Sequence, residues 1–134
     1  MMTKEEVLDA PEEDYMNDEQ QAFFRQLLLD LREETLESME KAKEQLSSPP
    51  EMNDDADHAA YEEASRLTLR ILDRERRLLP KIEEALKRLT TGDYGYCLES
   101  GEPIGIPRLL ARPTAELCAE VKAFSELREQ NFRR

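Results

Sequence analysis

Four glycines and no tryptophan in 134 residues leave little material for tight turns or a sheet-built core, and the shortage points to helix. Histidine occurs once and cysteine twice. That excludes a disulfide framework and any dense metal-ligand cluster. No run approaches the roughly 20 apolar residues that a membrane span requires. The opening MMTKEEVLDAPEEDY has no apolar stretch of the signal-peptide kind. Two cysteines without an export signal suggest a reducing cytoplasm and free thiols. No Ser-His-Asp set, phosphate loop or complete metal cage can be assembled, so catalysis by the isolated chain is not expected.

Charge, by contrast, is abundant. Charged residues make up 37% of the chain and apolar residues 39%, with a mean hydropathy of −0.77. One large core is not expected from that balance, whereas long helices burying a narrow seam fit it. The net charge of −12 is unevenly spread. Residues 1–20 hold eight acids and one lysine, and residues 33–63 eleven acids and two lysines. Residues 66–88 reverse the sign, with eight bases against four acids. An acidic chain with one basic stretch suits a protein partner and a small anion, not sequence-independent DNA binding.

Residues 1–16 contain Pro11 and show no sustained period, so a loose acidic arm is expected there. A helix should start near Asn17, a residue able to cap free backbone N–H groups. Phe24, Leu28, Leu31, Thr35, Met39, Ala42 and Leu46 then follow at spacings of three and four. They predict one apolar stripe on a helix of about 30 residues, roughly 45 Å long. Ser47-Ser48-Pro49-Pro50 should stop it. A second helix is expected from Asn53 or Asp54 to about Leu89, its seam carried by Ala60, Ala64, Leu67, Ile71, Arg74 and Leu78 and resumed by Ile82, Ala85 and Leu89. The four-residue step from Leu78 to Ile82 reads as a stutter, and Pro80 inside it as a kink.

Two long helices with matching stripes and a short connection predict an antiparallel coiled-coil hairpin. After Leu89, Gly101, Pro103, Gly105 and Pro107 should keep the chain in loops or short strands. Thr114 is expected to cap a last helix, with Leu117, Val121, Phe124 and Leu127 on its buried face. The predicted fold is therefore mainly α. A long hairpin over residues 33–89, with its tip at 47–59, projects from a small globular base. The base takes residues 17–32 and 90–134, the latter a loop-rich region with the C-terminal helix.

The aspartates of the turn carry three readings. Asp54, Asp55 and Asp57 can cap the second helix and favour its dipole. They can contact a partner. Paired carboxylates can also recruit Mg²⁺ to activate water, as in Gre-type transcript-cleavage factors.

The segment GDYGYC…SGEPIGIPRLLARPTAELC, followed by a helix, is similar to the C-terminal half of DksA/TraR proteins. Asp54-Asp55-Ala56-Asp57-His58-Ala59 resembles that family's D-x-x-D-x-A tip, and Asp73-Arg74-Glu75-Arg76 also fits its pattern. The resemblance spans about residues 14–134. It implies a regulator of transcription initiation, not an enzyme. Its hairpin would enter the secondary channel of RNA polymerase and alter open complexes together with guanosine tetraphosphate, in the stringent response. Asp54, Asp57 and Ala59 would be the tip residues that act. Arg74, Lys81, Arg112 and Lys122 fall on positions tied to the alarmone, and cations there suit phosphate oxygens.

Typical members carry four cysteines around zinc. Here the same positions are Cys97, Ser100, Cys118 and Val121, which resembles the cysteine-poor, zinc-independent paralogues. No zinc is expected, and Val121, Leu117, Ile104, Ile106 and Leu98 should replace it by packing. Cys97 and Cys118 are expected as free thiols. A monomer with no direct sequence-specific DNA binding and no membrane contact is implied, and a coiled-coil adaptor between proteins stays as the other class.

Overall fold

The computed structural model describes residues 1–132, and among them there is helix and no strand. Five α-helices follow in order: α1 (Lys4–Asp9), α2 (Asp18–Ser47), α3 (Asp55–Thr91), α4 (Ile106–Ala111) and α5 (Ala119–Phe132). Contacts divide the chain into a unit of Met1–Leu28 with the residues from Glu84 onward, and a unit of Leu29–Glu83.

The Leu29–Glu83 unit is the hairpin. α2 starts where expected, because the Asn17 Oδ1 accepts the Gln20 N–H at 2.9 Å and satisfies a donor left free in the first turn. It ends at Ser47, before the two prolines. The Gln45 Oε1 accepts a hydrogen bond from the Thr68 hydroxyl at 3.3 Å, and Arg32 pairs with Glu83 at 2.7 Å. These two contacts fix the helices as antiparallel. On α2 the expected stripe is the buried one: Thr35 and Ala42 are buried, and Leu31, Met39 and Leu46 are half-buried. Thr35 resolves its own polarity by donating its hydroxyl to the Leu31 carbonyl at 2.7 Å.

On α3 Ile71 and Leu78 are half-buried and Ile82, Ala85 and Leu89 buried as expected, but from Tyr61 to Leu79 the seam is centred one residue further along than the apolar pattern predicts. Beside Ile71, Leu78, Ala85 and Arg88, its buried or half-buried positions run through Tyr61, Ser65, Thr68, Leu72, Glu75, Leu79, Ile82, Leu86 and Leu89. These keep an unbroken 4-3 alternation, so there is no stutter. The expected seam residues Ala60, Ala64 and Leu67 are exposed, and so is Arg74. The sequence misleads here because the true seam contains a serine, a threonine and a glutamate. Pro80 sits inside an unbroken helix. Its missing N–H costs one ladder bond, and the exposed position lets water take the freed carbonyl.

The other unit is organised around Phe24 and Leu28, both fully buried, with Ala85, Leu89, Tyr94, Ile104 and Leu109. Phe24 and Tyr94 stack with ring centroids 5.6 Å apart. The acidic N-terminal segment is not a loose arm. Thr3 caps α1, Val7 is 1% exposed, and Met16 is buried. Tyr15 donates its hydroxyl to the Gly95 carbonyl at 2.5 Å and accepts the Gly105 N–H at 3.0 Å, linking residues 80 and 90 positions apart. Gly95 has φ +92°, and a Cβ there would meet the Met16 side chain at 2.9 Å.

Three further expectations are corrected. Ile106-Pro107 opens the short helix α4 instead of an extended loop, since proline suits a first helical turn. Thr114 is buried in a turn, and α5 begins at Ala119 with the Cys118 carbonyl accepting the Lys122 N–H. Phe124 and Leu127 lie 60% and 55% exposed, so α5 buries none of its described residues.

Arg88 is the costly feature of this unit. Its side chain is 6% exposed, its three nitrogens make no hydrogen bond, and its nearest acid is Glu116 at 4.0 Å.

The register of α3 predicts unequal costs for two leucines only five residues apart. Leu72→Ala, in the seam, should lower unfolding stability by about 2–4 kcal/mol. Leu67→Ala, outside it, should change stability by less than about 1 kcal/mol. Denaturant melts of both variants check this, and equal losses would place the seam wrongly.

Candidate functional site

The turn between α2 and α3 gathers the tip residues. Asp54 Oδ1 accepts the Asp57 N–H at 2.8 Å, and the Asp54 carbonyl accepts the His58 N–H at 3.2 Å. Asp57 Oδ2 in turn accepts the Asn53 N–H, at a longer 3.4 Å. Asp54 thus acts as the N-cap of α3, while the Asp57 side chain reaches back to the residue before the cap and not to the cap itself, as a capping box would. Each carboxylate spends one oxygen on the backbone and keeps the other toward solvent. Asp54, Asp55, Asp57 and Ala59 are all exposed. A dense negative charge at a helix start is stabilised by the dipole and held in a fixed direction by the cap.

The four cationic positions fall in both units. Arg74 and Lys81 lie seven residues apart on α3, two turns along one face. Arg74 Nη2 reaches Glu75 Oε1 at 3.2 Å, and the Glu75 side chain is only 10% exposed. A seam carboxylate therefore holds this arginine, a partner that seam reasoning missed by placing Arg74 itself in the seam. Lys81 is exposed and makes no ion pair among the described residues, its neighbour Glu83 being taken by Arg32. In the other unit Arg112 is the exposed C-cap of α4, and Lys122 pairs with Glu126 at 3.9 Å.

The zinc-finger-like positions converge without forming a cage. Residues 95–104 fold back on themselves through Ile104 N–H to Gly95 O, Cys97 N–H to Glu102 O and Gly101 N–H to Cys97 O. Both cysteines are free, Cys97 buried and Cys118 half-buried. Ser100 Oγ lies 3.9 Å from Cys118 Sγ. Burial alone would raise the Cys97 pKa. The Ser100 hydroxyl and the backbone N–H groups of Cys118, Ser100 and Glu99 donate toward the sulfur and outweigh that, lowering it from 9.0 to about 6. Those backbone donors could not be seen in the sequence. Two thiols, a hydroxyl and the alkyl side chain of Val121 do not make a tetrahedral zinc set. No group of three or more His, Cys, Asp or Glu suited to a metal occurs among the described residues. The expected apolar replacement is only partial: Ile104 is buried, Ile106, Leu117 and Val121 are half-buried, and Leu98 is 58% exposed. Tyr94, buried and donating its hydroxyl to the Pro113 carbonyl at 2.8 Å, ties this region as well. Burial raises its pKa, so that bond persists at alkaline pH.

Comparison with known proteins decides the family. The model described as DnaK suppressor protein DksA, N-terminal domain, matches residues 20–89. The Prokaryotic dksA/traR C4-type zinc finger matches residues 92–126. The chain belongs to the DksA family. It is 41% identical to the RNA polymerase-binding transcription factor DksA of Caulobacter vibrioides, over 99% of this chain and 94% of that one. Against the protein of the same name from Escherichia coli the identity is 42%, covering 92% and 83%. Among DksA structures, that of transcription factor DksA2 from Pseudomonas aeruginosa matches with a TM-score of 0.81 and 48% identity, over 96% and 99% of the two chains. The region that matches the C4-type zinc finger retains two of its four cysteines, Cys97 and Cys118.

The donors around Cys97 predict a pH signature. A thiol whose folded pKa is lowered to about 6 contributes stability that is fully present above its unfolded pKa. That contribution is lost as pH falls from about 9 toward about 6. Ultraviolet thiolate absorbance of the native chain minus that of Cys97→Ser should titrate near pH 6, and a midpoint near 9 would mean that the donors do not hold the sulfur.

Proposed function

We propose that this chain is an RNA polymerase-binding regulator of transcription initiation that carries no catalysis of its own. The observation that carries the reading is the capped aspartate turn, which presents Asp54 and Asp57 with free oxygens beside the small, exposed Ala59. It is supported by family membership and by relatives that bear the name RNA polymerase-binding transcription factor. In this reading the hairpin enters the secondary channel and the tip changes the lifetime of open complexes near the catalytic centre. Arg74, Lys81, Arg112 and Lys122 respond to guanosine tetraphosphate at the polymerase surface. Exposed cations suit a polyphosphate, and arginine adds a fork that can bind two oxygens at once. No helix among the described residues is long and apolar enough to cross a membrane. The chain is read as a cytoplasmic monomer that makes no sequence-specific DNA contacts.

The zinc-finger-like region works without zinc in this reading, held by the hydrogen bonds around Cys97 and Tyr94 and by the Tyr15 link. Such a chain acts when zinc is scarce, because its fold does not draw on metal-binding free energy. Protein purified without added zinc should carry less than stoichiometric metal, and its melting temperature should be unchanged by chelator. A tightly held ion, or a large drop in melting temperature with chelator, contradicts this.

Decay of promoter complexes tests the function itself. The chain should shorten the lifetime of unstable open complexes by about tenfold, equivalent to about 1.4 kcal/mol off the barrier, more strongly with guanosine tetraphosphate. Asp57→Asn keeps a cap oxygen and removes the charge, so it should bind polymerase and lose the effect. An unchanged lifetime with native protein would favour the adaptor. Shortened transcripts from backtracked complexes would instead favour a cleavage factor.

A further inference from the structure

The unit that contains the N-terminal segment holds a groove of about 500 Å³, within the roughly 300–1,000 Å³ of ligand pockets. One wall is the end of α1 and the segment after it, with Leu8, Pro11 and Glu12. The other leads into α4, with Pro103, Ile106 and Pro107. The groove shares no lining residue with the aspartate turn or with the four cationic positions. A Cβ placed at Gly105, also in the lining, would meet no atom within 4 Å, so the space over that wall is open.

Few polar groups in this apolar lining are left to meet a ligand. The three prolines have no N–H to donate. The Pro11 and Gly105 carbonyls already accept the Asp14 and Leu109 N–H groups. The Tyr15 hydroxyl is used in both directions, donating to the Gly95 carbonyl and accepting the Gly105 N–H. Gln20 and Glu12 remain. Gln20 is 1% exposed, and its Oε1 accepts the Met16 N–H at 2.9 Å. Its Nε2 makes no hydrogen bond among the described residues. An amide donor held in such a place calls for an acceptor. Glu12 is exposed and makes no ion pair among the described residues.

These groups select the occupant. No lysine or arginine lines the groove, so a nucleotide or a fatty-acid carboxylate would lose water beside Glu12 with nothing to neutralise it. The complement is an apolar body with one carbonyl oxygen for Gln20 and a cation for Glu12. A peptide supplies all three: a main-chain carbonyl, an aliphatic side chain, and a neighbouring lysine or arginine. The eight acids of residues 1–20 extend the same field beyond the groove, which favours several residues of basic chain over a lone small amine. We infer that the groove binds a short basic segment of a partner protein, anchored by one aliphatic side chain. A second copy of this chain is the weaker occupant, since it brings a net charge of −12. The inference does not depend on the polymerase reading, because none of its residues belongs to the tip or to the cationic set.

Titration of the full chain with acetyl-Lys-Leu-Lys-amide, followed through its backbone amide resonances, tests this. The Leu8, Gln20 and Gly105 signals should shift and saturate together. The glycine probe acetyl-Lys-Gly-Lys-amide should bind about tenfold more weakly, having lost the anchor. Glu12→Lys should weaken the basic probe about threefold and strengthen acetyl-Glu-Leu-Glu-amide by a similar factor, as expected of an exposed charge pair. Leu8→Ala should weaken the basic probe as well, and Glu12→Lys carries the test alone if Leu8→Ala loses α1. Glu44→Lys, an exposed change of the same sign on α2, should leave both probes within about twofold of native. Equal effects of Glu12→Lys and Glu44→Lys would reduce the binding to the net charge of the chain and overturn the inference. Glycine and leucine probes of equal affinity overturn it too, as does the absence of any saturable shift at the groove. Self-association in sedimentation that Leu8→Ala abolishes would give the groove to a second copy instead.

Discussion

The seam between α2 and α3 is the constraint on which the functional site depends. Within the Leu29–Glu83 unit, Thr35 and Ala42 on α2 and Leu72 and Ile82 on α3 are the buried side chains that hold two helices in one register. The turn with the exposed Asp54, Asp57 and Ala59 belongs to the same unit, so that register fixes where the aspartates begin. The seam is not optimised for burial. Glu75 and Thr68 occupy positions where leucine would bury more apolar surface, and Thr35 answers its own hydroxyl within the helix. Polar seam residues weaken a coiled coil and narrow the set of registers it can adopt. Here they also serve the surface, since Glu75 holds Arg74 and Thr68 donates to Gln45.

Much of this architecture was legible because periodicity and stop signals are local physics. The α2 stripe, the Asn17 cap, the Pro49-Pro50 stop and the aspartate start of α3 all follow from spacing and from backbone donors in need of acceptors. On α3 the end of the seam at Ile82, Ala85 and Leu89 was legible too, but its course nearer the turn was not. Its apolar residues fit two stripes, and hydropathy prefers the one with Ala60, Ala64 and Leu67 over the one with Ser65, Thr68 and Glu75. Only the register against α2 chooses between them. The N-terminal segment failed differently, since Val7 and Met16 are single apolar residues in an acidic run and show no period to read.

The finger-like region shows where sequence reasoning stops. Ser100 and Val121 show that two of the four cysteines are absent, yet nothing in the residue types says which contacts hold the region. The answer lies in backbone groups: N–H donors around Cys97, the Gly95 carbonyl and Gly105 N–H on Tyr15, and the Pro113 carbonyl on Tyr94. Arg88 shows the same limit from the other side. Its heptad neighbours read as a solvated basic stretch, and the fold buries it with Glu116 as its nearest acid.

Site-specific photocrosslinking from His58, exposed between Asp57 and Ala59 in the turn, bears most directly on the central claim. In a complex with core RNA polymerase the account predicts adducts on segments that line the secondary channel beside the catalytic centre. Adducts confined to the outer surface of the enzyme would contradict it.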